Sequence, residues 1–214
     1  MSQLQQLRVI ESQEIASLRE RMNLVGCVFE FVVLEVDPEV LEDEALHRQA
    51  LMAMYEQIMA NQLEWRQSLI QRPDYVDGEP PALTWKLDLA VATPLDRAMV
   101  FDPGMVLPPR LGGSALFDAF CKPPHSISLR DEWALALFKE WLQVLGFDDQ
   151  DDIEVLNWVD GYQTNCDRGS DDLPDTVLWS NYFDAGLEWW GVWCLTIWNP
   201  RCRTLSALVA STTD

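Results

Sequence analysis

The chain has 214 residues, of which 48% are apolar, and 35 acidic residues against 15 basic ones give it a formal charge of −20. This apolar content is enough to build a core, which excludes disorder as the main state. The negative charge disfavours DNA, RNA or an anionic membrane as a partner, because their phosphate groups would be repelled, and it favours a basic protein.

The first part of the chain predicts a helix followed by a strand. Residues 2–22 carry apolar side chains at helical intervals, and Ser2 with Gln5 has the spacing of a capping box, so we expect an amphipathic helix there. Residues 25–36 (VGCVFEFVVLEV) are largely apolar on both alternating faces and rich in β-branched and aromatic side chains. That pattern predicts a strand that is covered on two sides.

The middle of the chain predicts long helical structure and then a strand with one solvent-exposed face. Asp37 and Pro38 fit a helix N-cap and the first helical residue, and an amphipathic segment of one helix or two runs from there towards Arg72. In residues 83–93 (LTWKLDLAVAT) apolar and polar side chains alternate, which predicts a strand. Residues 101–113 are rich in glycine and proline, so we expect a loop.

The last part of the chain predicts one helix and three strands. Ser128 is placed to cap a helix with several tryptophan and leucine side chains, and Gly146 is placed to end it. We expect strands at 177–183, 189–198 and 204–211. Both faces of the second strand are apolar, which is typical of a central strand between two layers. Its faces are Trp189, Gly191, Trp193, Leu195 and Ile197 on one side and Trp190, Val192, Cys194, Thr196 and Trp198 on the other.

Long helices near the start and strands grouped near the end are typical of α+β proteins. We therefore expect a mainly antiparallel sheet with helices packed on it and with long N-terminal helices. Residues 1–214 are expected to form a single domain, within which residues 1–72 could be a helical subregion.

The start of the chain and its cysteines bear on the compartment. Residues 1–20 lack the basic start, apolar stretch and cleavage site of a signal peptide, and no run is long and apolar enough for a membrane span. The five cysteines are scattered without a C-x-x-C pair, so we expect reduced thiols, although Cys194 and Cys202 could meet across a hairpin. The expected location is the cytoplasm.

The densest charge lies in residues 148–188, which hold twelve carboxylates and one basic residue, Arg168. Like charges at this density repel one another, and folding alone gives no reason to accept the free-energy cost of that repulsion. The alternative interpretation is a solvated acidic face that has no functional role. A bound cation is not expected, because the segment lacks the glycine and the final glutamate of a calcium-binding loop. The functional interpretation is a recognition surface for a basic protein, with a few aromatic side chains supplying affinity.

Catalytic signatures are weak in this sequence. It contains no G-x-S-x-G motif and no phosphate-binding glycine loop, and Ser114 fits the cap of a short helix. The two histidines, His47 and His125, lie far apart in the chain, and we interpret each as a surface or hydrogen-bonded residue. We therefore expect no enzyme, no cofactor and no metal. The catalytic alternative is a carboxylate-dependent hydrolase that uses a pair such as Asp184 and Glu188.

Two resemblances add to these observations. The run LWSNYFDAGLEWWGVWCLTIWNPRCRTLSALVASTTD resembles the tail of an uncharacterised bacterial family, in which an aromatic EWWG strand is followed by a turn and a last strand. In overall character, as a small, very acidic, tryptophan-rich α+β protein, the chain is similar to bacterial immunity proteins, including those of type VI secretion effectors. That similarity implies tight inhibition of a cognate toxin, often a nuclease with a basic substrate cleft.

The leading hypothesis is an immunity-type inhibitor that binds a basic, nuclease-like toxin or secretion-system effector and occludes its active site by mimicking phosphate charge. A DNA mimic that captures basic proteins is the alternative binding function. The sequence leaves open the identity of the toxin and the oligomeric state. The predicted partner-binding residues are Asp148, Asp149, Asp151, Asp152, Glu154, Trp158, Tyr162, Asp171, Asp172 and Asp175.

Overall fold

The computed structural model describes residues 6–76, 82–101, 115–122, 132–147, 152–160, 162, 178–187 and 190–212. The strands are β1 (Leu7–Val9), β2 (Glu30–Val36), β3 (Thr93–Pro94), β4 (Glu154–Asn157), β5 (Val192–Asn199) and β6 (Thr204–Ser211). The helices are α1 (Gln13–Leu24), α2 (Glu44–Ile70), α3 (Arg97–Val100), α4 (Ala115–Cys121) and α5 (Glu132–Val144), and 3-10 turns include Leu87–Leu89, Asn181–Phe183 and Ala185–Leu187.

The strands form one sheet in the order β1-β2-β6-β5-β4-β3, in which every neighbouring pair is antiparallel. The predicted α+β class with an antiparallel sheet and a long early helix is confirmed. The early strands β1 and β2 belong to the same sheet as β5 and β6, so residues 7–36 contribute strands as well as helix. In the described part of the chain, no helix combines the length and the apolar character needed to cross a bilayer.

Helices cover both faces of this sheet and create two cores. On one face, Trp193, Leu195 and Ile197 of β5 pack with residues of α1, α4 and α5, which we call the first core. On the other face, Val192 and Cys194 pack with residues of α2, which we call the second core. The prediction of a central strand between two layers is confirmed, since all eight residues of β5 are buried.

Trp190 lies on the other face from the one that the sequence predicts. It belongs to the first core and not to the face of Val192 and Cys194. The strand begins only at Val192, because Gly191 adopts a φ of 100° that breaks the alternation. The indole Nε1 of Trp190 donates to the carbonyl of Lys122 at 2.9 Å.

The predicted helix over residues 2–22 is wrong over residues 6–12, and residues 2–5, with the predicted capping pair Ser2 and Gln5, lie outside the described residues. Leu7–Val9 form the edge strand β1, and α1 starts only after Ser12, whose side chain accepts a hydrogen bond from the Ile15 amide. The arginine of β1, Arg8, pairs with Glu35 of β2 across the strands. Three alternating residues are too few to separate the strand period from the helical one.

Asp37 does not cap a helix, in contrast to the prediction. Its carboxylate accepts from the Glu39 amide at 2.9 Å in a turn, and α2 starts later, where the Asp43 carboxylate accepts from the Leu46 amide at 2.8 Å. From there α2 is one continuous helix. Predicted strand 25–36 is also shorter, because β2 begins at Glu30.

Two further predicted strands are wrong within the described residues. The segment 83–93 contains the 3-10 turn Leu87–Leu89 and contributes only Thr93 to β3. Residues 178–183, from the predicted strand 177–183, contain the 3-10 turn Asn181–Phe183. Conversely, the prediction omitted β4, which pairs with β5 and β3.

The predicted end of α5 at Gly146 is confirmed. Gly146 has a φ of 81°, its amide donates to Gln143 O at 3.0 Å, and the Phe147 amide donates to Leu142 O at 2.8 Å. These two bonds form a glycine-terminated Schellman cap. The predicted strand over 204–211 matches β6. The predicted cap Ser128 and residues 102–113 of the predicted loop lie outside the described residues.

Candidate functional site

Four of the ten predicted partner-binding residues are described by the structure. Asp152 and Glu154 are exposed at the start of β4, whereas Trp158 and Tyr162 are buried. The other six lie outside the described residues: Asp148, Asp149, Asp151, Asp171, Asp172 and Asp175.

Trp158 and Tyr162 are part of the second core and do not reach the surface. The indole Nε1 of Trp158 donates to Thr196 Oγ1 at 2.9 Å, and the Trp158 carbonyl accepts from the indole of Trp179 at 2.8 Å. Neither side chain is therefore placed to anchor a partner in this structure. Both residues follow β4 and are tied to β5 through their backbones: the Trp158 amide donates to Cys194 O at 2.9 Å, and Tyr162 O accepts from the Val192 amide at 3.2 Å. The prediction missed this arrangement because it treated residues 148–175 as one acidic surface segment.

His47 is fully buried on α2, and its side chain contacts both β5 and the residues that precede α2 in the chain. Its Nδ1 lies 2.7 Å from Thr196 Oγ1, and its Nε2 lies 3.2 Å from Glu42 Oε1. Because the Trp158 indole can only donate, Thr196 Oγ1 accepts that bond and can give its own hydrogen to Nδ1. The imidazole then carries its hydrogen on Nε2 and donates it to Glu42, which satisfies all three contacts.

Burial lowers the pKa of His47 below its ordinary value of 6.5. The negative charges of Glu154, Asp43 and Glu44 oppose this shift, because they stabilise a protonated imidazole. Desolvation is the larger effect, so the neutral imidazole is the favoured form. Glu42 and Glu154, from different parts of the chain, each place a carboxylate oxygen within 4.8 Å of a ring nitrogen of His47.

These residues define an acidic cluster at one end of the sheet. The cluster comprises Glu42, Asp43, Glu44, Asp152 and Glu154. Two arginines reduce its charge: Arg48 pairs with Glu44 at 2.6 Å, and Arg201 in the β5–β6 turn lies 3.5 Å from Asp152. The N-terminus of α2 also favours carboxylates, because its free amides carry a partial positive charge.

One group in the described part of the chain has the composition of a cation site. Single ligand atoms of Glu42, His47 and Glu154 all lie within 4.8 Å of one another. An imidazole with two carboxylates is a ligand set that zinc or another divalent transition metal accepts. The Nε2 of His47 would have to lose its hydrogen to bind a cation, with Nδ1 donating to Thr196 instead. Without a cation, both ring nitrogens of neutral His47 already have hydrogen-bond partners, Thr196 for Nδ1 and Glu42 for Nε2.

Of the two alternatives expected for His47, a surface position or a hydrogen-bonded one, the second is confirmed. Its partner Thr196 is 149 positions away in the chain, so no local spacing could reveal the pair. The position within α2 was the only available signal, since Leu46, His47 and Ala50 fall on the buried side of the helix. His125, Ser114 and Glu188 lie outside the described residues, and Asp184 is exposed.

Comparisons with known proteins give no relative from which to assign these residues. No family model, no curated protein and no solved structure matches the chain.

The described cysteines do not form a disulfide with one another. Cys27, Cys194 and Cys202 are free thiols, so Cys194 and Cys202 do not pair across the β5–β6 turn. Burial raises the pKa of the Cys27 thiol to about 12 and that of the Cys194 thiol well above its ordinary value. Both are therefore protonated and poor nucleophiles at neutral pH.

Proposed function

We propose that this chain is an immunity-type inhibitor that binds a basic toxin or effector domain through its acidic cluster and the neighbouring acidic residues of the sequence. The observation that carries the proposal is the position of Asp152 and Glu154. Both are exposed, Glu154 lies beside Glu42 and His47 at the start of α2, and Asp152 precedes Glu154 by two residues. Asp148, Asp149 and Asp151 precede Asp152 directly in the chain.

The cluster supports binding to a basic partner because the fold brings together carboxylates from two segments that are distant in the chain, one at the start of α2 and one at the start of β4. Glu154 is the first residue of β4 and Asp152 precedes it, while Asp43 caps α2 and Glu44 is the first residue of that helix. Negative charge that is fixed in this way speeds association with a basic surface and selects against acidic ones. A toxin that binds phosphate groups has such a basic surface in its active site, so the inhibitor would compete with the substrate of the toxin.

The test is neutralisation in cells. Each product of the genes that flank the gene for this chain is expressed alone and together with this chain, and growth is measured. We expect one product to stop growth and co-expression of this chain to restore it. Asp152→Lys together with Glu154→Lys should abolish this protection, because the change places positive charge opposite a basic surface.

A matched control separates local charge from overall charge. Glu14→Lys together with Glu20→Lys changes the net charge by the same amount on exposed positions of α1, and this variant should still protect. The proposal fails if neither neighbouring product is toxic, if the unmodified chain does not protect, or if both double variants protect equally well. Protection against many unrelated basic proteins would indicate a DNA mimic instead.

A further inference from the structure

Helix α2 extends beyond the sheet on which it packs. Its 27 residues span about 40 Å. The buried residues of the helix end at Ile58, and none of the residues 59–70 is buried. The second half of α2 is therefore held in this chain by few core contacts.

Four exposed apolar side chains form a stripe along α2, which we call the outer stripe. They are Met52, Met59, Leu63 and Ile70, with exposed fractions of 42%, 40%, 57% and 52%. At about 100° per residue, the four lie within about 40° of one another around the helix axis. This direction is on the opposite side of the helix from Ala50 and Met54, which face the second core.

The first half of the outer stripe borders a groove between α2 and the edge strand β1. The groove has a volume of about 990 Å³. Its apolar lining includes Leu7, Val9, Val40, Met52 and Ala53, and its acidic lining residues are Asp37, Glu39 and Glu56. An occupant that fits this lining presents apolar side chains together with positive charge.

The second half of α2 has those properties. It carries Leu63 and Ile70 on the outer stripe and Arg66 within about 60° of them. If two copies of α2 lie antiparallel with a twofold axis level with residue 61, Met52 faces Ile70 of the second copy and Met59 faces its Leu63. The same register places Glu56 opposite Arg66 of the second copy.

The charge of α2 also permits two copies to approach. The whole chain carries a charge of −20, which repels a second copy. Between residues 45 and 72, however, there are three basic residues, Arg48, Arg66 and Arg72, and two acidic ones, Glu56 and Glu64. This helix is therefore a part of the molecule where like-charge repulsion is weak.

We propose that the chain forms a homodimer in which the two α2 helices pair antiparallel along their outer stripes, with the end of each helix in the groove of the other copy. A twofold axis makes every contact occur twice, which is the usual symmetry of homodimers. The apolar contacts supply the affinity, and the two Glu56–Arg66 pairs select the antiparallel direction. A parallel pair would place Glu56 against Glu56 and Arg66 against Arg66.

The test measures the dissociation constant of the full chain by sedimentation equilibrium. We expect a dimer for the unmodified chain. Leu63→Asp should weaken the dimer at least about tenfold, because the carboxylate would be buried among apolar side chains. The matched control is Trp65→Asp: Trp65 is 66% exposed but points about 140° away from the outer stripe, so this variant should remain a dimer.

A charge exchange tests the direction of the pair. Glu56→Arg alone and Arg66→Glu alone should each weaken the dimer, since like charges would meet twice, and the double variant should recover most of the affinity. Circular dichroism of each variant checks that the chain is folded. A monomeric unmodified chain, a dimer that tolerates Leu63→Asp, or a double variant as weak as the single ones would each overturn the proposal. These results do not depend on toxin neutralisation.

Discussion

Thr196 Oγ1 and His47 Nδ1 lie 2.7 Å apart in the second core, where they join the middle of β5 to the first turn of α2. The same hydroxyl accepts the indole hydrogen of Trp158 at 2.9 Å. One small side chain thus links a strand, a helix and the segment that follows β4. The acidic cluster depends on this link, because Glu42 and Glu154 lie around His47.

Replacement of Thr196 by valine should destabilise the protein by about 2–4 kcal/mol, since it leaves a buried imidazole nitrogen and a buried indole donor without their partner. The shape of the side chain is nearly unchanged, so the effect reports the hydrogen bonds. The measurement is the free energy of unfolding from urea denaturation.

Ser206→Ala on the neighbouring strand is the control. Ser206 is also buried, but its hydroxyl oxygen has no hydrogen-bond partner among the described residues. Its removal should change the free energy of unfolding by less than about 1 kcal/mol, or should stabilise the protein. Equal losses for the two variants would contradict the role assigned to Thr196.

The stability of the protein should depend on pH through His47. Because burial lowers the pKa of His47 in the folded state below its ordinary 6.5, the unfolded chain binds a proton at a higher pH than the folded chain does. The stabilising contribution is therefore complete above the unfolded pKa and is lost as the pH falls towards the folded pKa.

This pH effect is measured as a difference, because the many carboxylates of the chain also titrate. The free energy of unfolding is compared at about pH 7.5 and about pH 5 for the unmodified chain and for His47→Gln. The variant should lose less stability between these pH values. A steeper loss in His47→Gln would be the opposite of the expected sign.

Trp193→Ala should cost about 3–5 kcal/mol of stability, as expected for a large aromatic side chain removed from a core. Trp193 is 1% exposed in the first core, and its indole nitrogen has no partner among the described residues. Trp193→Phe should therefore cost much less, because no hydrogen bond is lost. Trp65→Ala, at an exposed position, should have an effect within about 0.5 kcal/mol. Thermal and urea unfolding provide the values.

Gly146→Ala should destabilise the end of α5 by at least about 1–2 kcal/mol, since its φ of 81° is unfavourable for a residue with a Cβ atom. The added Cβ would also lie 2.8 Å from Thr204 Oγ1. In a Thr204→Ala background this steric conflict is removed, and the backbone cost stays. The loss caused by Gly146→Ala should thus become smaller in that background, and additivity of the two changes would contradict the predicted conflict.

The sequence predicts the centre of the sheet better than its edges. β5 and β6 each span eight residues and carry apolar side chains on both faces, and Asn199–Pro200 marks the turn between them. At the edges, β1 has three residues and β3 has two. Such short segments cannot show either the two-residue period of a strand or the 3.6-residue period of a helix. Residue type does not distinguish the predicted cap Asp37 from the observed cap Asp43, since both are aspartates, which are favoured at helix N-caps.

The candidate site was less predictable than the fold, because its contacts are long-range. Residues of the acidic cluster come from positions 42–44 and 152–154, which the sequence does not connect. The high charge density of the segment reflects exposed residues such as Asp152 and Glu154 at the start of β4, and it concealed the apolar residues Val155 and Leu156, which are buried. Composition thus indicated an acidic surface, but it could not indicate the histidine beneath it.

The place of β6 between β2 and β5 has a consequence for synthesis on the ribosome. Strand β2 ends at Val36, whereas its central neighbour begins only at Thr204. The nascent chain therefore carries an apolar strand, EFVVLEV, without its main partner until residues 204–211 have been made. The sheet cannot be completed before β6 has left the ribosome, and we expect β2 to be the segment that molecular chaperones bind first.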